Sequence, residues 1–154
     1  MPGASVGAKV PDFTVPATGG DWRLAGHAGE KLVIYFYPKA MTSGCTTESQ
    51  AFRDLHAQFR RAKTQVVGVS RDSLASQQKF KAKERLPFEL LADESERVCR
   101  LFDVIHEKNM YGRKVMGIVR STFLLDADGV LRREWRKLKV AGHAEEVLEA
   151  AKSL

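Results

Sequence analysis

A chain of 154 residues, 44% hydrophobic and 29% charged, is long enough to bury roughly 70% of the surface its unfolded form exposes and lies outside the disordered range of composition. Its 25 Lys and Arg exceed its 19 Asp and Glu by a net +6, enough for weak attraction to polyanions but too mild to require a nucleic-acid protein. Transmembrane, secreted, disulfide-framework and zinc-site classes are excluded: no apolar run nears the ~18 residues of a bilayer span, Met1 to Val10 has Pro and Gly where a leader peptide is apolar, and the two cysteines and four histidines are scattered singly.

In chain order, residues 12–24 hold short extended pieces around Thr18-Gly19-Gly20-Asp21, which predict a turn between two edge strands. Leu32 to Tyr37 is a continuous apolar run ended by Pro38, as for a strand covered on both faces. A polar loop from Lys39 to Gly44 follows. A helix is predicted from about Ser43 to Ala62, with Phe52, Leu55, Phe59 and Ala62 on one face. Gln65 to Ser70 reads as a second buried strand, Ser73 to Glu84 as an exposed helix and Phe88 to Leu91 as a short strand. Asp93 or Ser95 can cap a helix running to about Ile105, with Val98, Leu101, Phe102 and Ile105 inward. Ser121 to Asp126 and Val130 to Trp135 flank Asp126-Ala-Asp-Gly129, a strong hairpin signal, and Ala144 to Leu154 closes the chain as a helix. Strands and helices that alternate first, with a hairpin late, predict one domain over 1–154: an α/β three-layer sandwich with a mixed sheet.

Ligands of such sheets bind beyond the carboxyl ends of the strands, where this chain places Tyr37-Pro-Lys-Ala-Met-Thr-Ser-Gly-Cys-Thr-Thr-Glu48. With Thr42 or Ser43 capping the helix, Cys45 lies in its first turn, where unpaired N–H groups and the positive dipole end favour a thiolate over a thiol. Cys45 and Phe52, seven residues apart, share the inner face, and Glu48 lies close to it. A carboxylate beside a thiol disfavours the thiolate unless a cation intervenes. Arg120, a charge inside the apolar stretch Gly117 to Leu125, is the candidate: its planar fork can hold Glu48 with one edge and face Cys45 with another. A lone cysteine in an α/β core is ordinarily an inert hydrophobe; Pro38, Thr42, Glu48 and Arg120 together move Cys45 away from that reading.

Pro38-x-x-x-Thr42-x-x-Cys45 resembles the active-site signature of peroxiredoxins, and Phe36-Tyr-Pro-Lys followed by Thr42-Ser-Gly-Cys-Thr-Thr-Glu48 resembles their bacterioferritin-comigratory-protein, or Q-type, class. The likeness extends through Gly7-Ala-Lys-Val-Pro-Asp-Phe13, Gly68-Val-Ser70, Leu90-Leu-Ala-Asp93 and Arg120-Ser-Thr-Phe-Leu-Leu-Asp126, nearly the whole chain. It implies a thioredoxin-like fold with an N-terminal hairpin, hydroperoxide substrates, and no metal or organic cofactor. Cys45 is then the peroxidatic nucleophile. Thr42 accepts from the peroxide while donating toward the thiolate, Arg120 and the Cys45 N–H stabilise developing charge, Pro38 screens the site, and Glu48 orients Arg120.

The departures concern regeneration. Relatives carry a resolving cysteine at positions that here hold Gln50 or Lys81. Cys99 flanks the apolar stripe of its helix and reads as a quiet, half-buried thiol. The chain is then expected to work with one essential cysteine, as a monomer like many of the class, with thioredoxin, glutaredoxin or a small thiol as reductant; its two unpaired cysteines and the lack of a leader pattern point to a reducing cytoplasm. Two alternatives stay open: Cys99 as resolving residue, and a non-enzymatic redox sensor or polyanion-binding module. Arg132 to Lys139 is basic, but such a run on an edge hairpin is ordinarily a solvated face. Position 42 is Thr, so no Cys-x-x-Cys reductase motif exists, and His56 lies too far along the helix to serve Cys45 as a base. His27, His106 and His143 are expected at the surface, and Trp22, Tyr35 and Trp135 in structural roles.

Overall fold

A computed structural model describes residues 3–154; the leader-peptide reading of Met1 to Val10 falls partly on residues 1 and 2, outside that range. The first two strands, β1 (Thr14–Val15) and β2 (Trp22–Arg23), form the N-terminal antiparallel hairpin. A 3₁₀ turn over Leu24–His27 leads to β3 (Lys31–Phe36), then α1 (Ser43–Asp54), α2 (His56–Arg61) and β4 (Thr64–Ser70). The chain continues through α3 (Leu74–Glu84), β5 (Leu90–Ala92) and α4 (Arg97–Leu101) to a hairpin, β6 (Ile105–Met110) and β7 (Arg113–Ile118). It closes with β8 (Ser121–Leu125), β9 (Leu131–Arg136) and α5 (His143–Lys152).

The central sheet has five strands in the order β5-β4-β3-β8-β9. β3, β4 and β5 run parallel, whereas β8 is antiparallel to both β3 and β9, so the sheet is mixed. Side chains alternate across β3, and each set lines a different core. Ile34 and Phe36 face the cluster under α4 and the N-terminal hairpin, with Phe102, Val98 and Trp22. Val33 and Tyr35 face the cluster under α1, α2, α3 and α5, with Phe52, Phe59, Phe80 and Val147. The Tyr35 ring stacks on Phe52 at 4.7 Å between centroids, clamping α1 to the sheet; emptying such a site by Phe→Ala costs about 3–5 kcal/mol. Gly68 is required beneath it, because a Cβ there would meet the Tyr35 ring at 2.8 Å.

Several elements depart from their sequence readings. The helix expected over Ser43 to Ala62 divides at Leu55, whose backbone leaves the helical region (φ −99°, ψ 2°). The helix expected to reach Ile105 ends at Leu101: Asp103 takes φ 52°, and the Val104 N–H closes back onto the Cys99 carbonyl at 3.1 Å, a Schellman-type stop. Ile105 therefore begins a strand. Residues 106–118, where the sequence predicts no element, form most of the β6–β7 hairpin, whose turn residues Tyr111 and Gly112 both have positive φ (54° and 78°). The α3 helix is not exposed throughout, since Gln77 and Phe80 are buried. His143 is also buried, its Nε2 2.8 Å from Thr122 Oγ1 and its ring set edge-on to Phe52 and Trp135. Burial lowers its pKa to about 4.

Candidate active site

The parallel strands β3 and β4 end side by side, with Phe36 opposite Val69, while β8 begins opposite Phe36 at Ser121. Any residue just before β8 is thereby delivered to the segment after β3. Arg120 is that residue, in the short connection from β7 rather than inside a strand. Pro38 stops β3, and the following loop is anchored from β4: the Ala40 N–H donates to Asp72 Oδ2 at 2.8 Å, and Ser70 Oγ holds the same oxygen at 2.6 Å. Met41 then adopts φ 66°, a left-handed conformation that turns the chain into α1.

Thr42 occupies the N-cap position, but its hydroxyl does not cap the helix. It donates to the Lys39 carbonyl at 2.8 Å. The Thr42 proton is thus committed to the loop, which corrects the expectation that it points toward the thiolate; only its lone pairs remain for an incoming group. Thr46 N–H to Thr42 O is the first helical bond, leaving the N–H groups of Ser43, Gly44 and Cys45 ahead of it at the positive end of α1.

Cys45 is 1% exposed on the inner face of that turn. Arg120 places Nη2 3.3 Å from its Sγ and Nη1 2.6 Å from Glu48 Oε1, so one guanidinium spans both groups. Gly44 leaves room for it: a Cβ at that position would meet Arg120 Nη2 at 3.2 Å. Glu48 is almost fully buried, and its second oxygen, Oε2, has no hydrogen-bond partner among the described residues. Burial raises the Glu48 pKa to about 7 although Arg120 pulls the other way. Burial alone would lower that of Arg120, but Glu48 and Cys45 outweigh it and raise it. Pro38 is half-buried.

Two cations at this end of the sheet have no counterpart in the sequence reading. Arg71, just past β4, pairs with Glu96 at 2.7 Å and reaches toward the Met116 carbonyl at 3.4 Å. Lys108, on β6, lies within electrostatic reach of Arg120, Cys45 and Arg71. Ser70-Arg71-Asp72, a polar cluster at the end of a buried strand, was the available signal for the first. Lys108 lies in a polar run with no periodicity.

Cys99 does not join this site. It is fully buried rather than half-buried, its N–H donates to Asp93 Oδ2 at 2.7 Å, and burial, then Asp93, push its thiol well above the ordinary range. It belongs to the apolar cluster on one face of the sheet, Cys45 to that on the other. Gln50 and Lys81 are tied elsewhere, Gln50 to Glu84 at 2.7 Å and Lys81 to the Leu86 and Phe88 carbonyls. The basic run along edge strand β9 is engaged with its surroundings. Arg133 lies over Trp135, Arg136 over Phe123, and Arg132 pairs with Asp126. A cleft of about 230 Å³ between Asp12, His27, Leu32 and Asp126 lies at the opposite end of β3 from Cys45. Among the described residues no group of three or more His, Cys, Asp or Glu is arranged to hold a metal ion.

Residues 6–134 match the AhpC/TSA family. The chain is 52% identical to peroxiredoxin Bcp of Xanthomonas campestris, over 92% of this chain and 89% of that protein. It is 44% identical to peroxiredoxin Bcp of Bacillus subtilis, over 97% of this chain and 96% of that one. A solved structure of the Xanthomonas campestris bacterioferritin comigratory protein, described for its alkyl peroxide reduction activity, superposes with a TM-score of 0.87 at 51% identity, over 92% of this chain and 90% of that chain.

Proposed function

This chain belongs to the AhpC/TSA family and, within it, to the Bcp or Q-type peroxiredoxins, thiol-dependent peroxidases of thioredoxin-like fold, and from that premise we propose that Cys45 is the peroxidatic nucleophile. The observation that carries the reading is the Arg120 fork, one arm on Cys45 Sγ and the other on Glu48. A thiolate there attacks the terminal oxygen of a hydroperoxide in line. The S–O bond forms as the O–O bond breaks, Cys45 is oxidised to the sulfenic acid, and the leaving oxygen takes a proton from solvent to depart as water or alcohol. The Thr42 lone pairs accept the peroxide O–H, while Arg120 and the Cys45 N–H oppose the charge that develops on the lengthening O–O bond. Pro38, with no N–H to offer water, is assigned the role of screening the thiol. Glu48 holds the guanidinium in place.

Hydrogen peroxide and organic hydroperoxides are the proposed substrates, the second supported by the alkyl peroxide reduction of the Xanthomonas relative. We further propose a one-cysteine cycle, in which thioredoxin, glutaredoxin or a small thiol reduces the sulfenic acid of a monomeric enzyme in the cytoplasm. Its support is the placement of Cys99 across the sheet from Cys45 and the absence of thiols at positions 50 and 81. Cys45→Ser, nearly isosteric, is expected to abolish hydroperoxide turnover while the circular dichroism spectrum and melting transition persist. Retention of substantial turnover would remove Cys45 from the nucleophile's place.

A further inference from the structure

The β6–β7 hairpin is rooted by the buried Ile105 and Ile118 and otherwise projects beyond the body of the sheet. Lys108, half-buried, does not point to solvent along it. Its stem runs over Gly117 on the partner strand, where a Cβ would stand 3.4 Å from Lys108 Cδ and 3.8 Å from Nζ. That track leads toward the hairpin's root, where Arg120 follows β7 by two residues.

The charges there do not balance without the thiol. Arg120 is matched by Glu48, Arg71 and Arg100 share Glu96, and Lys114 on the same hairpin is matched by Glu107. Lys108 has no carboxylate within ion-pair distance among the described residues. Burial and the two guanidinia lower its pKa, and Cys45 is the group that opposes them. A thiolate at Cys45 therefore offers Lys108 a negative charge that no carboxylate supplies. Once Cys45 is a neutral sulfenic acid, Lys108 loses the group that offsets Arg120 and Arg71.

We propose that Lys108 recruits the reductant: its uncompensated charge in the oxidised enzyme draws a small anionic thiol to the Cys45 sulfenic acid. This deepens the peroxidatic reading of Cys45 and rests on it. The incoming thiolate attacks the Cys45 sulfur, an S–S bond forms as the S–O bond breaks, and the oxygen leaves as water with solvent protons. A second thiolate attacks the reductant's sulfur in the mixed disulfide, releasing the reductant disulfide and restoring the Cys45 thiolate, so two thiols are oxidised for each sulfenic acid reduced. Lys108 acts through the approach of the reductant and forms no bond to the reacting oxygen, so it is a positioning residue.

The test is a double-mixing experiment. One equivalent of hydrogen peroxide first oxidises the enzyme, and a dimedone adduct on the Cys45 peptide verifies the sulfenic acid. Cysteamine, 2-mercaptoethanol or 3-mercaptopropionate is then added, and each rate constant is expressed per thiolate. At low ionic strength the wild type is expected to react at least tenfold faster with the anionic thiol than with the cationic one. Lys108→Met should lower that ratio about tenfold, equivalent to about 1.4 kcal/mol, Lys108→Arg should keep it, and salt should compress it in the wild type. Taking a ratio within each variant cancels changes in the reactivity of Cys45 itself. A wild-type ratio near one, or the same ratio in Lys108→Met, overturns the proposal; the salt series and Lys108→Arg decide it even if Lys108→Met folds poorly. Failure to form the adduct at Cys45 in the first mixing would instead overturn the peroxidatic reading, a distinguishable result.

Discussion

Glu48 has one oxygen bonded to Arg120 and the other buried without a partner, so its charge is poorly solvated. Its pKa rises from the ordinary 4.5 to about 7. Between those values the folded protein keeps a proton that the unfolded chain has lost, so stability falls as pH rises through that window and levels off above it. Glu48→Gln, which still offers Arg120 an oxygen, is expected to flatten this part of a urea-midpoint profile; an unchanged slope would assign the dependence to another group. Arg120→Gln leaves Cys45 without its cation and is expected to slow Cys45 oxidation roughly 10²–10³-fold in stopped-flow measurements, the cost of removing one charge-stabilising donor. Thr42→Val should slow it less, because Thr42 contributes acceptance and not charge. At this scale the sequence was informative: Pro38, Thr42, Cys45 and Glu48 lie on one strand-loop-helix segment with fixed local spacing, and Arg120 was an anomalous charge in an apolar run. The direction of the Thr42 proton was not legible, since it depends on the Lys39 carbonyl and a loop conformation set by Asp72.

Elements carry the site through one close approach. The first turn of α1 lies directly under the guanidinium, and Gly44 is the residue that permits it. Gly44→Ala should favour the helix slightly by propensity while pressing on Arg120 Nη2, which Glu48 and Cys45 hold from the other side. Slower Cys45 oxidation with an unchanged or raised melting temperature is therefore expected; unchanged oxidation kinetics would show that Arg120 yields without loss. The strands and helices with strong periodicity were readable, as was the turn Asp126 to Gly129, where Asp126 Oδ1 accepts the Asp128 and Val130 N–H groups. The β6–β7 hairpin was not, because Tyr111, Val115 and Met116 are exposed and the run carries no alternating signal. The overlong helix after Asp93 has a similar origin. Ile105 falls on the helical stripe by spacing, yet Asp103 reverses the backbone before it.

Across the whole molecule, the five-stranded sheet separates two thiols with different surroundings. Cys45 meets a cation at the start of α1, whereas Cys99 meets a carboxylate in the opposite core. The mixed sheet and its two covered faces were legible from continuous apolar strands and amphipathic helices. The face on which Cys99 would lie was not, because it depends on where α4 stops and how it docks. A disulfide needs Cα atoms within about 7 Å, so joining Cys45 to Cys99 requires α1 or α4 to leave the sheet. Non-reducing peptide mapping after one equivalent of hydrogen peroxide tests the central claim most directly. One oxygen added at Cys45, trapped by dimedone, with Cys99 still a free thiol, is the expected result; an abundant Cys45–Cys99 disulfide peptide, or oxidation of Cys99 with Cys45 untouched, would contradict it.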